Sequence, residues 1–304
     1  MQFYLAPMEG ITGYIVRNAF AHYFPYIDKY FTPFIPAAKK MNKKIKRDLA
    51  PENNRGITLV PQLIGNRADE FLMMINQLED LGFTSVNLNF GCPSGTVVAK
   101  GKGAGCLKDP DALRRLLAEV VEKSPLSVSV KTRIGMTDST EWERLCAVYA
   151  DCPLEELIIH PRLRSEYYSG TPHMEAFACA VQQCKIPLCY NGDIGTVEDY
   201  ARVHAAYPAV ERVMIGRGLL EDPGLVGKIK GEPPAEKERL RAFHDEILEG
   251  CLMTFHAEKD VVFHLKEIWF YLTRSFPERE TYLKQIRKCQ SLPEYKLIVQ
   301  QIFS

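Results

Sequence analysis

Residues 85–94 read SVNLNFGCPS. Val86 and Leu88 alternate with Asn87 and Asn89, and the run breaks at Gly91-Cys92-Pro93. A short β-rich run bounded by glycine and proline reads as a strand, here with polar residues at its C-terminal tip. Seven other runs share this character: FYLAP (3–7), YFTPFI (30–35), ITLVPQLIG (57–65), LSVSVKTR (126–133), ELIIHPR (156–162), IPLCYNG (186–192) and RVMIGRG (212–218). The eight starts lie 27, 27, 28, 41, 30, 30 and 26 residues apart. Each interval holds a helix and two loops, so the spacing predicts an α/β chain closed into a (β/α)8 TIM barrel. An open doubly wound sheet competes less well, because no Gly-x-Gly-x-x-Gly follows the first strand.

Helix signals fill the intervals. Leu72, Ile75, Leu78 and Leu81 recur at helical spacing from Asp69, and Gly82 stops the helix. Asp109-Pro110 is a cap followed by proline at the first helical position, opening a helix to about Glu122. The 41-residue interval also accommodates a loop from Cys92 to Lys108. After Gly231 the pattern changes: GEPPAEKE reads as a linker, and no good strand follows. Val261, Val262, Leu265, Ile268, Trp269 and Leu272 form a helical apolar stripe, and Ser291 to Glu294 reads as a capping box. The chain divides on this reading into a barrel, 1–232, and a small C-terminal bundle of four helices, 233–304.

Composition narrows the class. Of 304 residues, 38 are Lys or Arg and 38 Asp or Glu, for zero net charge. That balance argues against a simple nucleic-acid coat but leaves room for a local basic patch. Such a patch is present: Lys39, Lys40, Lys43, Lys44, Lys46 and Arg47 put six cations in nine residues. Nine cysteines without a Cys-x-x-Cys pair argue against a zinc site, so no metal is expected. Free thiols suit a reducing, cytoplasmic setting. The N-terminus lacks signal-peptide features, and no run of about 18 apolar residues suggests a membrane span.

A barrel of this kind carries its site at the C-terminal strand ends. There lie Pro7, Met8 and Glu9; Gln62; Asn89 and Cys92; Lys131 and Arg133; His160; Asn191, Gly192 and Asp193; and Gly216 and Arg217. The last two glycine-bearing turns suit a phosphate, although such turns also serve simply to reverse the chain. An inward-facing Lys131 requires an anion or polar ligand, since burying an unpaired ammonium is costly. Cys92 at the barrel mouth suits a proton donor if neutral, or a nucleophile if ionised, and sequence leaves both open. Tyr167 and Tyr168 offer faces on which a base can stack.

Taken in order, APMEG (6–10), PQLIGN (61–66), NLNFGCPS (87–94), GAGCLKDP (103–110), VKTRIG (130–135), IHPR (159–162), NGDI (191–194) and MIGRG (214–218) resemble the tRNA-dihydrouridine synthases. The resemblance extends to HLKEIWFYL (264–272) and so covers nearly the whole chain. It implies an FMN-dependent oxidoreductase that uses NADPH to reduce the C5–C6 bond of a uridine in tRNA. It implies that Pro7, Met8, Glu9, Gln62, Lys131, His160, Asn191, Gly192, Asp193, Gly216 and Arg217 bind FMN. Asn89 and Arg133 would contact the target nucleotide, and Cys92 would give a proton to C5. The helical segment would grip tRNA, and a monomer is expected. The APMEG start and HLKEIWFYL look closer to bacterial members acting in the D-loop. Two departures stand out: the first loop reads GITGYIVRNAF, and Pro161 follows His160. A flavin barrel acting on a small pyrimidine is the enzymatic alternative. A non-catalytic tRNA-binding protein of the same fold is the other.

Overall fold

The computed structural model describes residues 1–304. Ten short strands form in chain order: β1 (Gln2–Leu5), β2 (Lys29–Phe31), β3 (Ile35–Pro36), β4 (Leu59–Val60), β5 (Gln62–Ile64), β6 (Ser85–Phe90), β7 (Ser127–Arg133), β8 (Glu156–His160), β9 (Leu188–Tyr190) and β10 (Arg212–Ile215). All pairings are parallel, and β1 pairs with both β10 and β2. The ring closes because β2 pairs with β4 and β3 with β5, while β5 pairs with β6. It is therefore an eight-stave barrel in which two staves are each split in two.

Proline explains the splits. Stave two breaks at Thr32-Pro33-Phe34 and stave three at Pro61. Proline has no N–H for the ladder, so the chain must leave it there. The Thr32 hydroxyl fills the gap by accepting from Gln62 N at 2.9 Å. Two strands end earlier than their polar tips suggest: β9 stops at Tyr190 and β10 at Ile215. Asn191 to Asp193 and Gly216 to Gly218 therefore include the free turns above the barrel.

The principal helices are α1 (Tyr14–Tyr23), α2 (Lys43–Leu49), α3 (Ala68–Asp80), α4 (Pro110–Lys123), α5 (Glu141–Ala150), α6 (Met174–Gln183), α7 (Val197–Ala206), α8 (Arg217–Glu221), α9 (Lys237–Thr254), α10 (Glu258–Leu272), α11 (Arg279–Lys288) and α12 (Leu292–Phe303). The Asp109 carboxylate caps α4, accepting from Asp111 N and Ala112 N at 3.1 and 3.0 Å. At α12 Ser291 accepts from Glu294 N at 3.4 Å, but the Glu294 carboxylate reaches Gln290 N rather than Ser291 N. Inside the barrel Tyr4, Phe31, Val60, Ile158, Cys189 and Met214 pack together. Beneath them the buried Glu156 accepts from Tyr4 Oη at 2.8 Å and pairs with Arg212 at 3.1 Å.

The last four helices dock on the barrel through α1. The Phe243 ring lies 5.0 Å from Phe20 and 5.4 Å from Phe24. Gly250 makes close approach possible, because a Cβ there would sit 2.6 Å from Ile15 Cγ2. The stripe expected from the sequence, Val261 to Leu272, is the buried face of α10. Trp269 Nε1 donates to Tyr295 Oη at 2.6 Å within that core. No helix is long and apolar enough to cross a membrane.

Candidate active site

The barrel mouth opens into a cavity of about 380 Å3. All fourteen strand-end residues singled out above line it: Pro7, Met8, Glu9, Gln62, Asn89, Cys92, Lys131, Arg133, His160, Asn191, Gly192, Asp193, Gly216 and Arg217. Residues from seven different staves meet there because parallel strands bring all their C-terminal tips to one end.

A chain of amides sets the floor. Gln62 Nε2 donates to Asn87 Oδ1 at 2.8 Å, and Asn87 Nδ2 donates to Ser129 Oγ at 2.9 Å. Asn89 Nδ2 donates to Gln62 Oε1 at 2.8 Å. Asn89 Oδ1 in turn accepts from Gly91 N and Cys92 N at 3.0 and 2.9 Å. Asn89 thus fixes the backbone that carries the thiol, while one Nδ2 hydrogen stays available. Arg133 braces the same turn, donating from Nε to Gly91 O at 3.0 Å and from Nη1 to Leu163 O at 2.9 Å.

Lys131 stands in the cavity without a hydrogen bond or ion pair from the protein. Burial, with Arg133 nearby, lowers its pKa to about 8. His160 is buried beside Arg133, Lys131, Arg162 and Arg217, so desolvation first and these charges second hold its imidazole neutral. Arg162 Nη1 lies 3.1 Å from His160 Nε2; since the guanidinium donates, Nε2 accepts and the ring proton sits on Nδ1. Burial also pushes the half-buried Cys92 thiol up, and the Ser94 N–H opposes it only in part. Cys92 is therefore a neutral thiol at physiological pH.

The two phosphate-like turns are joined by charge and close packing. Asp193 pairs with the fully buried Arg162 and, at 2.8 Å, with Arg217. Asp193, not a glycine, takes the left-handed conformation in its turn, at φ 37°. Gly218 serves contact instead, since a Cβ there would lie 2.0 Å from Ile194 O. The N–H groups of Gly192, Asp193, Gly216 and Arg217 donate to no protein acceptor.

Three lining residues were not singled out from the sequence, and Arg162, a strand-end polar residue there, gains its role only from the fold. Arg162 is the buried anchor of Asp193. Phe34, Glu267 and Tyr271 line the cavity, the last two from α10. Their signal was available: 263, 267, 270 and 271 form the face of α10 opposite its apolar stripe. Tyr168, noted for stacking, stands over the mouth with its ring 4.7 Å from Arg217 Cζ and 5.4 Å from Arg133 Cζ. The preceding Tyr167 has φ 51°, an uncommon conformation for a non-glycine that turns the chain there.

The basic segment comes near α10, the helix that supplies Glu267 and Tyr271 to the opening. Its six cations are exposed and none is ion-paired. α2 is held by Asp48, which pairs with buried Arg17 at 3.2 Å and accepts from Tyr14 N at 2.8 Å. Lys44 is close enough to His264 of α10 to depress its pKa, after burial.

Comparison with known proteins gives one family. The model of the dihydrouridine synthase family matches residues 4–303. A tRNA-dihydrouridine(16) synthase of Pseudomonas putida is 31% identical, over 95% of this chain and 93% of that protein. The like-named protein of Ralstonia nicotianae is 27% identical over 95% and 92%. The tRNA-dihydrouridine synthase B of Pasteurella multocida is 30% identical over 73% and 67%. Among solved structures, morphinone reductase superposes with a TM-score of 0.56 at 12% identity, covering 80% of this chain and 88% of that one. That likeness is one of fold.

Proposed function

The chain belongs to the dihydrouridine synthase family, and from that premise we propose how it reduces a uridine of tRNA. It is a flavin-dependent oxidoreductase. FMN suits the cavity on grounds of this chain's own residues. A cavity of about 380 Å3 falls among those that take small-molecule cofactors. Lys131 offers an ammonium without a partner. Four backbone N–H groups at two adjoining turns lack acceptors, which suits a phosphate. Pro7, Met8, Glu9, Gln62, Lys131, His160, Asn191, Gly192, Asp193, Gly216 and Arg217 would hold the cofactor, with Lys131 favouring negative charge on the ring.

The chemistry that the bound flavin would supply, once reduced by NADPH, is a hydride for C6 of the uracil. Cys92 gives the proton from Sγ to C5, and the thiolate left behind regains one from water. The neutral state of the thiol supports an acid rather than a nucleophile. Asn89 and Arg133 hold the Cys92 turn at a fixed height and keep donor capacity for the uracil oxygens.

The target must leave its stack to reach the cavity, at a cost of a few kcal/mol. Basic surface offsets this by binding phosphates. The segment 39–47 supplies six exposed, unpaired cations, of which Lys44 lies near His264 of α10. The bundle is neutral overall, with 11 basic and 11 acidic residues over 234–304. Its charge is sorted by helix, however: α11 carries Arg279, Lys284, Arg287 and Lys288 against Glu280 alone. We assign 1–232 to catalysis and 233–304 to tRNA binding. The relatives matched over nearly their whole length are named for position 16, and we take that uridine, in the D-loop, as the target.

The observation that carries this reading is the neutral Cys92 on the rim of one cavity with an unpartnered Lys131. The test is an absorption spectrum of the purified protein, then mapping of dihydrouridine in tRNA lacking it after reaction with NADPH. Flavin absorption near 450 nm and dihydrouridine at one position are expected. Reduction of a free pyrimidine but not tRNA would instead select the small-molecule enzyme.

A further inference from the structure

The cations that line the cavity all come from its barrel side. Lys131, Arg133 and Arg217 face it there, together with Asp193, which is paired to Arg162 and Arg217, and the exposed Glu9 in the loop after β1. From α10 come Glu267 and Tyr271, one turn apart. Glu267 is exposed to the opening and has neither a hydrogen bond nor an ion pair within the protein. It is near enough to the half-buried Tyr271 hydroxyl to help raise its pKa, after burial and Tyr168. Tyr168 and Arg217 adjoin the same hydroxyl, so barrel and bundle meet at this side of the mouth.

An unpaired carboxylate is an unsuitable neighbour for a phosphate. It accepts hydrogen bonds only, so it favours an N–H or O–H donor and repels the anionic backbone of the same RNA. The geometry points to Glu267 as a specificity-determining residue: it accepts a hydrogen bond from a base N–H or ribose hydroxyl of the nucleoside entering the cavity, with Tyr271 packed beside it. The bundle then does more than attract tRNA. It presents, at the mouth, an acceptor that excludes the backbone and admits a nucleoside edge. This rests on the tRNA reading above.

Glu267→Ala, Glu267→Gln and Glu267→Lys are compared with wild type as full-length flavin-loaded protein, using tRNA lacking dihydrouridine. NADPH oxidation by the flavin, measured without tRNA, and flavin content report folding and the cofactor site. Both stay within twofold of wild type. For tRNA, Glu267→Ala raises KM about tenfold, the scale of one hydrogen bond to a charged acceptor. Glu267→Gln retains an acceptor oxygen and recovers most of the loss, whereas a merely electrostatic role would group it with alanine. A substrate carrying 2′-deoxyuridine at the target distinguishes the donors. A defect with wild type that vanishes with Glu267→Ala assigns the ribose hydroxyl, and equal use of both substrates assigns the base. Unchanged KM in Glu267→Ala, or tighter tRNA binding by Glu267→Lys, overturns the inference. Wild-type protein that makes no dihydrouridine instead fails the tRNA reading itself.

Discussion

Lys131→Met separates stability from cofactor binding with opposite signs. In the flavin-free protein the partly buried Lys131 ammonium faces the cavity, has no partner and lies near Arg133. Its pKa falls from 10.5 to about 8, a difference of about 3 kcal/mol against the charged form. Methionine of similar length removes that penalty without leaving a large void. Flavin-free Lys131→Met is therefore more stable than wild type at pH 7, by about 1–3 kcal/mol with 3 as the upper bound. Urea unfolding of both proteins measures this. The sign of the pH dependence follows from linkage. Between pH 8 and 10.5 the unfolded wild-type chain binds the proton that the folded one has lost, so wild-type stability gains with rising pH. The gap between the two proteins accordingly closes over that window, while both share every other titration. Flavin occupancy moves the other way: the variant purifies largely colourless. A flavin-free variant less stable than wild type by over 1 kcal/mol, or a gap constant from pH 7.5 to 10.5, would refute an unpaired, partly buried ammonium.

Other consequences are equally direct. Cys92→Ala keeps flavin and tRNA binding but loses at least about a hundredfold in dihydrouridine formation, the scale of general acid catalysis; full turnover would remove the thiol from the acid role. Gly218→Ala places a methyl 2.0 Å from Ile194 O, so the turns after β9 and β10 must separate, with a loss above about 1–3 kcal/mol in unfolding free energy and weakened flavin retention. Wild-type stability in that variant would show that the turns do not touch. Replacing Lys43, Lys44 and Lys46 together by glutamine leaves NADPH oxidation without tRNA intact and weakens tRNA binding. It also lowers the salt slope of log Kd by up to about three, near one for each phosphate no longer neutralised; an unchanged slope would place the RNA elsewhere.

The fold was legible because its spacing is coarse and repeated. Eight β-rich runs at intervals of 26 to 41 residues needed no knowledge of tertiary packing to suggest a barrel. The split staves were less so: Pro33 and Pro61 were visible, but that Thr32 would satisfy Gln62 N depends on two staves lying side by side. All fourteen expected site residues reach one cavity because the barrel sends every strand end to the same face. Arg162 and Asp193 were both visible as strand-end polar residues, yet their pairing joins residues 31 apart. Glu267 and Tyr271 were not legible as site residues because α10 reaches the mouth only once the bundle docks on the barrel, through α9 on α1 and through the Arg274 and Ser275 contacts with Glu221 of α8.

The sequence by itself determined the periodicities: which runs become strands, where proline and glycine end them, and which chemical groups stand at their tips. These are local properties, set by backbone sterics and by alternation of apolar and polar side chains. The tertiary structure alone decided what those groups experience. The Lys131 pKa is lowered and that of Cys92 raised because the fold partly buries both groups at the barrel mouth. The zero net charge likewise says nothing until folding sorts it, leaving six cations exposed on one segment and a single free carboxylate of α10 at the mouth. Burial and the distances between charges are properties of the packed chain, and electrostatic energy follows from both.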